Sequence, residues 1–488
     1  MSSPSTQPKA TIGYIITVGF AIFATYFGAG NLIFPPTLGL TAGTLWIFAL
    51  IGFAVTDVGL GVLGIIATTN VGGGVDDVAR PVAKWFAVVL GSLICLFIGP
   101  LFCVPRVAAT TYEMGVQPYA EFIPIWALSF VFFAVTLALT IKQLAVVDII
   151  GKILTPILLI MLAIIFIGAI VHPIGAPVAT GAEHQFSRGF MEGYKTMDGI
   201  GSLVMAGIFV FDVRARGFKS RKQQLSVIVP ACLVSGICLT LIYGGLTYIG
   251  ATASGLSQFQ GLDRVPLLIG TVFAILGTPG KVALSVAVAA ACLTTSIGLT
   301  SMVANFFARV TNDKLKYSTN VIIICLVSFF MSLGGVEHII MLAVNCLLLI
   351  YPVVMVLIFM AVFDRFIPYK WAYRGAIVGA LAVSILDVWG SYNEGVKGLV
   401  NTVPLDTIGF GWIIPAIIGG IIGSVIQMAL RPPTRKNRFV RNLTLTTFNA
   451  SLDKRDHKPT SLSETAFPVS GFFLPERPCR AIMAHIAP

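Results

Sequence analysis

The stretch FATYFGAGNLIFPP, residues 23–36, decides how this chain is read. It belongs to an apolar run, 11–34, in which Gly28, Gly30 and Asn31 interrupt the pattern near its middle and Pro35-Pro36 is expected to end it. Glycines at such a depth weaken a helix and free backbone amides and carbonyls. In lipid those groups survive only where protein or a water-filled cavity satisfies them. Half-helices of this kind build transporter sites, with amide ends toward an anion and carbonyl ends toward a cation. The plainer alternative is a patch of small residues against which a neighbouring helix packs.

The surrounding composition makes lipid the solvent. Of 488 residues, 56% are hydrophobic and only 11% charged, and mean hydropathy is +0.91. A soluble domain carries about 25% charged residues. A helix needs about 20 apolar residues to cross the hydrocarbon core. Twelve stretches qualify: 11–34, 43–68, 84–110, 122–141, 148–171, 190–212, 225–250, 281–308, 318–334, 337–363, 372–390 and 408–430. The run 265–278 is shorter, breaks at Pro279-Gly280 and reads as a re-entrant or surface helix. The first apolar run is too long for a cleavable signal peptide.

The charge of +11 sits in short clusters between apolar runs, not on the basic face of a polar domain, so nucleic acid is not an expected partner. Of the 32 Lys and Arg residues, 21 fall in loops on the side of the N-terminus and five in the far tail. The opposite loops hold six: Arg106, Arg188, Lys195, Arg264, Lys281 and Lys397. That asymmetry puts both termini in the cytoplasm. Seven of the eight cysteines lie in apolar stretches without metal-site spacing and read as small buried hydrophobes. After Arg431-Pro432-Pro433 the composition turns to Ser, Thr, Lys, Pro and Asn. Residues 431–488 therefore read as a disordered cytoplasmic tail. Residues 1–10 form a cytoplasmic N-terminus, and 11–430 the transmembrane domain.

Two more stretches bear on function. AACLTTSIGLTS, residues 290–301, sets the hydroxyls of Thr294, Thr295 and Ser296 at mid-membrane depth. Such hard oxygens suit Na⁺, although Ser and Thr also bond back to their own helix or join neighbouring helices. EGYKTMDGIGSLVMAGIFVFD, residues 192–212, carries Gly199, Gly201 and Gly207 and reads as another interruptible helix. Its Asp198 is expected near the end of the span, where water makes a carboxylate cheap. Five spans counted from each broken helix give repeats at 11–171 and 190–363. An odd number per repeat inverts the topology, and 372–430 adds two helices. Paired broken helices in corresponding positions point to an inverted-repeat transporter with a midplane site.

At GAGNLIFPPTLGLTAG (28–43), GPLFCVPRVAATTYEMGVQP (99–118) and GYKTMDG (193–199), the chain resembles the bacterial branched-chain amino acid:cation symporter family of the amino acid–polyamine–organocation superfamily. The similarity covers most of 11–430. It implies an all-α membrane protein with the LeuT-like five-plus-five inverted repeat, in the bacterial inner membrane. Gly28-Ala29-Gly30-Asn31 followed by Phe34-Pro35 is similar to the first-helix signature of LeuT-like sodium symporters. By that match the amides of Ala29 and Gly30 hold a substrate carboxylate. Carbonyls of Ala24 and Phe27, with Ala291, Thr294 and Thr295, hold Na⁺. Asn31, Tyr26, Thr196, Asp198 and Gly207 are further candidates for the substrate site. Two residues depart from the family: Asp57, where a small apolar residue is usual, and Gly61, where a proline is usual. Ala206-Gly207 stands where Phe-Gly is the tendency.

The function implied is uptake of Leu, Ile or Val driven by Na⁺, with no organic cofactor. A rival keeps the fold and replaces Na⁺ by H⁺, with Asp57 as carrier. An intramembrane ionisable residue is costly and usually functional or paired. A membrane-embedded enzyme would need a nucleophile, metal cluster or acid–base pair at one depth. His172, His184 and His338 lie near span ends, and no such constellation is seen. A channel would need a symmetric pore and filter loop. The sequence is silent on oligomeric state. Truncation after Arg431 is expected to leave uptake by correctly inserted protein intact; lost uptake in a proteoliposome assay would contradict the reading of the tail.

Overall fold

The computed structural model describes residues 10–141, 155–367, 369–400, 402–405 and 409–430. The expected tail from residue 431 lies outside the described residues. Among them the chain is helical, without strands. The first span is two half-helices, α1 (Ile12–Tyr26) and α2 (Ala29–Ala42). The second is α3 (Trp46–Ala54) and α4 (Leu60–Val71), joined through a wide π turn at Val55–Gly59. Next come α5 (Lys84–Leu96), α6 (Cys103–Thr110), α7 (Ile125–Thr140) and α8 (Thr155–Val171). The second repeat opens on α9 (Gln185–Tyr194) and α10 (Asp198–Ala215). It continues through α11 (Arg221–Thr252), α12 (Arg264–Val310), α13 (Tyr317–Ser332) and α14 (Val336–Val362). Last are α15 (Lys370–Gly390) and α16 (Ile413–Leu430).

Each of the twelve expected spans contains helix, with adjusted bounds. Seven helical runs are long and apolar enough to cross a membrane alone, or eight with the bent pair α9/α10 counted as one span. Helix α1, α7, most of α8 and α13 are apolar but shorter. The sixth span begins at Gln185, five residues before its expected start.

The first break falls where the glycines place it. Phe27 (φ −71°, ψ 95°) and Gly28 (φ −124°, ψ −167°) leave helical space between α1 and α2. Pro35 and Pro36 do not end the span. Both lie inside α2, which runs to Ala42 before Gly43 (φ 53°) turns the chain. Without amides, they leave the carbonyls one turn earlier free of helical partners.

The second break is not where the glycines place it. Gly199, Gly201 and Gly207 all lie inside an uninterrupted α10. The chain instead breaks at Lys195, Thr196 and Met197, with α9 and α10 bent by 47°. Met197 is held left-handed (φ 73°, ψ 6°), a conformation that tertiary contacts impose on a non-glycine residue. The break within α12 also moves, from Pro279-Gly280 to Gly277 (φ 63°, ψ −150°). Pro279 then stands in the first turn of the following segment, where a missing amide costs nothing. The part before Gly277 is the separate helix expected at 265–278.

Packing brings the two broken spans together. Helix α2 lies on α11, α3 on α9 and α4 on α10. With no hydrophobic force between helices in lipid, close backbone approach takes its place. A Cβ on Gly39 of α2 would lie 1.9 Å from the Thr247 carbonyl oxygen of α11. The outer faces carry exposed apolar side chains, such as Ile417, Ile418, Ile421 and Ile422 of α16. Gly39→Ala is expected to destabilise the protein by about 1–3 kcal/mol through overpacking. Thermal unfolding in detergent measures it, and an unchanged midpoint would contradict this packing.

Candidate functional site

The ends of the two broken helices meet through one side chain. Asn31 stands in the first turn of α2, where its Oδ1 accepts from the Gly28 amide at 3.2 Å. That amide would otherwise continue α1 by bonding the Ala24 carbonyl. Asn31 Nδ2 donates to Asp198 Oδ2 at 2.7 Å and to the hydroxyl of Tyr243 on α11. Asp198 is the first residue of α10, where the helix dipole favours a carboxylate. It is 7% exposed, so the expectation of a water-exposed end is corrected: the break carries the start of α10 into the interior. Thr196 bridges the break, its hydroxyl donating to the Gly193 carbonyl at 2.7 Å and accepting from the Asp198 amide at 3.4 Å.

Arg106 is the main residue that the sequence reading misplaced. Counted there with the outer loops, it is 2% exposed and lies on α6 within the third span. Its guanidinium donates to the Lys195 carbonyl at 2.6 Å and to the Thr196 carbonyl at 3.1 Å, capping the open end of α9. A Cβ on Gly30 would lie 2.7 Å from its terminal nitrogen, so any larger residue there would push the guanidinium away from the start of α2. A lone arginine inside an apolar stretch was the available signal, since ionisable groups at such depth are rarely idle.

The three hydroxyls of α12 separate into three environments. Thr294 donates to the Ala291 carbonyl of its own helix at 2.8 Å. Ser296 pairs with Thr136 of α7 at 3.1 Å. Thr295 Oγ1 is buried without a hydrogen-bond partner, 2.8 Å from where a Cβ on Gly28 would lie. It faces the α1/α2 break, where the last carbonyls of α1 have no amide one turn ahead. Ala24, Phe27 and Ala291 are buried in the same core.

Tyr26 donates to the Gly61 carbonyl at 3.3 Å and so ties α1 to α4. Asp57, in the π turn of the second span, is 1% exposed and faces Thr196, Tyr243 and Asp198. Neither of its oxygens makes a well-formed hydrogen bond. One cavity touches Tyr26, Gly28, Gly30, Asn31, Arg106, Thr196, Asp198 and Thr295, with Ile98, Met205 and Leu299 as apolar walls. At about 10 Å³ it holds at most about one water molecule. Gly207 is not part of it. It lines a separate cleft of about 590 Å³ beside Arg80, Arg214 and Arg309, because α10 carries it nearly three turns beyond the break.

The two ends of the site differ. On one side Arg264 bonds Glu337 of α14 at 2.7 Å and pairs with Glu192 of α9 at 3.6 Å. The Phe34 ring lies between this arginine and Arg106, 5.4 and 5.6 Å from the two guanidinium carbons. On the other side the large cleft reaches Val204 and Met302, within one turn of the cavity walls Met205 and Leu299.

Residues 12–430 match the family model described as branched-chain amino acid transport protein. The chain is 34% identical over 440 residues to the branched-chain amino acid permease BraB of Bacillus subtilis, covering 87% of this chain and 98% of that protein. It is 32% identical to the branched-chain amino acid transport system 2 carrier protein of Pseudomonas aeruginosa, covering 86% and 97%. It is 33% identical to the permease BrnQ of Escherichia coli K12, covering 85% and 96%. Among solved structures it resembles Mhp1, a nucleobase-cation-symport-1 family transporter in a closed conformation with bromovinylhydantoin bound. The TM-score is 0.59 at 14% identity, over 88% of this chain and 97% of that one. That likeness shows the LeuT-like fold.

Asn31→Ala removes the partner of a buried amide and of a buried carboxylate. The expected loss is about 2–3 kcal/mol of stability, read as a lowered unfolding midpoint in detergent. A midpoint equal to that of the native protein would mean that Asn31 does not hold the two breaks together.

Proposed function

The chain belongs to the branched-chain amino acid transport protein family, and from that premise we propose that it is a symporter moving Leu, Ile or Val inward with Na⁺ by alternating access. It is a transporter rather than an enzyme, and the question is how its site does the work. The amides of Ala29 and Gly30 open α2, where a helix end favours an anion such as the substrate carboxylate. Asn31, Thr196 and Asp198 supply the polar groups nearest to it, and Ile98, Met205 and Leu299 the apolar wall for a branched side chain. Such a wall discriminates weakly among Leu, Ile and Val, since one methylene is worth about 1–3 kcal/mol. Gly207 is left out of the substrate site.

The observation that carries Na⁺ coupling is the buried, unpartnered Thr295 hydroxyl facing the open carbonyl end of α1. A hard cation finds there the oxygens of Thr295 and Thr294 together with the carbonyls of Ala24, Phe27 and Ala291. The coupling ion is a co-substrate. The cavity is too small for an amino acid, closed on the side of Arg264 and near the large cleft on the side rich in arginine. This geometry suits a closed stage of alternating access whose next opening is toward the cytoplasm, with both termini on that side of a bacterial cell membrane.

Proton coupling through Asp57 is the competing reading, motivated by its unbonded buried carboxyl. Thr294→Ala/Thr295→Ala separates the two. Each hydroxyl that contacts a charge is worth about 1.5–3 kcal/mol. The double variant is therefore expected to raise the Na⁺ concentration for half-maximal leucine uptake by about 100-fold or more. Uptake that keeps its Na⁺ dependence in that variant would contradict this cation site.

A further inference from the structure

We propose that Arg106 is a specificity-determining residue that binds the substrate carboxylate directly, giving up a backbone carbonyl of the α9/α10 break to do so. This rests on the amino acid reading above and adds a residue to it. A guanidinium taken out of water is costly unless charge and hydrogen bonds compensate it. Arg106 has hydrogen-bond partners, the Lys195 and Thr196 carbonyls and the Cys103 sulfur, but all are neutral. Its Nε is buried and bonds nothing. Among the described residues no carboxylate forms a salt bridge with it, and the nearby Asp198 oxygen is held by Asn31. Asp57 and Asp198 act on its charge from farther off, but no carboxylate bonds the guanidinium directly in the cavity that it lines.

Its position supplies the second half of the case. The contact with Gly30 places the guanidinium against the opening turn of α2, where helix amides also favour an anion. A fork and a helix end converging on one spot form a bidentate carboxylate cradle. Charge-assisted bonds to carboxylate are roughly twice as strong as neutral ones. An arriving carboxylate thus outcompetes a neutral carbonyl for the fork. Releasing the Lys195 or Thr196 carbonyl loosens the link between α6 and the end of α9, so occupancy and the second break become coupled. Asp198, which also lines the cavity, is the acidic group available to the ammonium of the zwitterion.

The test compares leucine with leucinamide, which keeps the side chain and the amine but has no carboxylate. Binding of each to full-length protein in nanodiscs is measured for native protein, Arg106→Gln and Arg106→Lys at saturating Na⁺. Truncating one partner of a buried charge pair costs 2–5 kcal/mol, so Arg106→Gln is expected to weaken leucine about 30-fold or more. Leucinamide should change little, bringing the ratio of the two affinities toward one. Arg106→Lys keeps the charge without the fork and should fall between. Equal losses for both ligands would make Arg106 a structural cap only and overturn the proposal. So would an unchanged ratio in Arg106→Lys, which decides the matter if the Gln variant does not fold. Native protein that binds no branched-chain amino acid would overturn the transport reading itself; native protein that binds both ligands equally would overturn this inference alone.

Discussion

Backbone groups inside a membrane must be satisfied, and two helices of this protein are cut open there. Everything else at the centre follows from how those cuts are closed. Asn31 takes up the Gly28 amide that α1 leaves free and reaches across to Asp198 at the start of α10. Arg106 takes up the carbonyls that α9 leaves free. Thr295, whose hydroxyl is unbonded, lies against Gly28 at the end of α1. Two breaks with side-chain substitutes for helical hydrogen bonds can exchange those substitutes for a ligand; an intact helix cannot.

The charges in this core set the terms of that exchange. Asp57, Asp198 and Arg106 are all buried, so two acidic groups face one basic group away from water. Charges in such surroundings are expensive when unmatched. A zwitterionic amino acid leaves the total unchanged, whereas a monovalent cation shifts it by one. Around this core, helices are held by close backbone contact, as at Gly39.

Much of the fold was legible in the sequence because apolar run length is a strong, local signal. The twelve stretches rest on it, while the first break rests on Gly28, Gly30 and Asn31. The second break was not legible, since Met197 takes its left-handed conformation from tertiary contacts and no glycine marks it. The prolines misled for a different reason: α2 continues past Pro35 and Pro36 to Ala42, giving up the helical hydrogen bonds that their missing amides would make. In the site, Asn31, Tyr26, Thr196, Asp198 and Thr295 line one cavity, while Gly207 lines a separate cleft. The bond from Asn31 to Asp198 spans 167 positions and Arg106 reaches 90 positions to Thr196, distances over which one sequence carries no signal.

The central claim is that a cation and a branched-chain amino acid share the ends of the two broken helices. Radiolabelled leucine uptake into proteoliposomes, under an inward Na⁺ gradient at constant pH or an inward pH gradient without Na⁺, tests it most directly. Accumulation under the Na⁺ gradient and none under the pH gradient is the result this account predicts. Accumulation under the pH gradient alone would contradict it, leaving the fold in place and moving the coupling to Asp57.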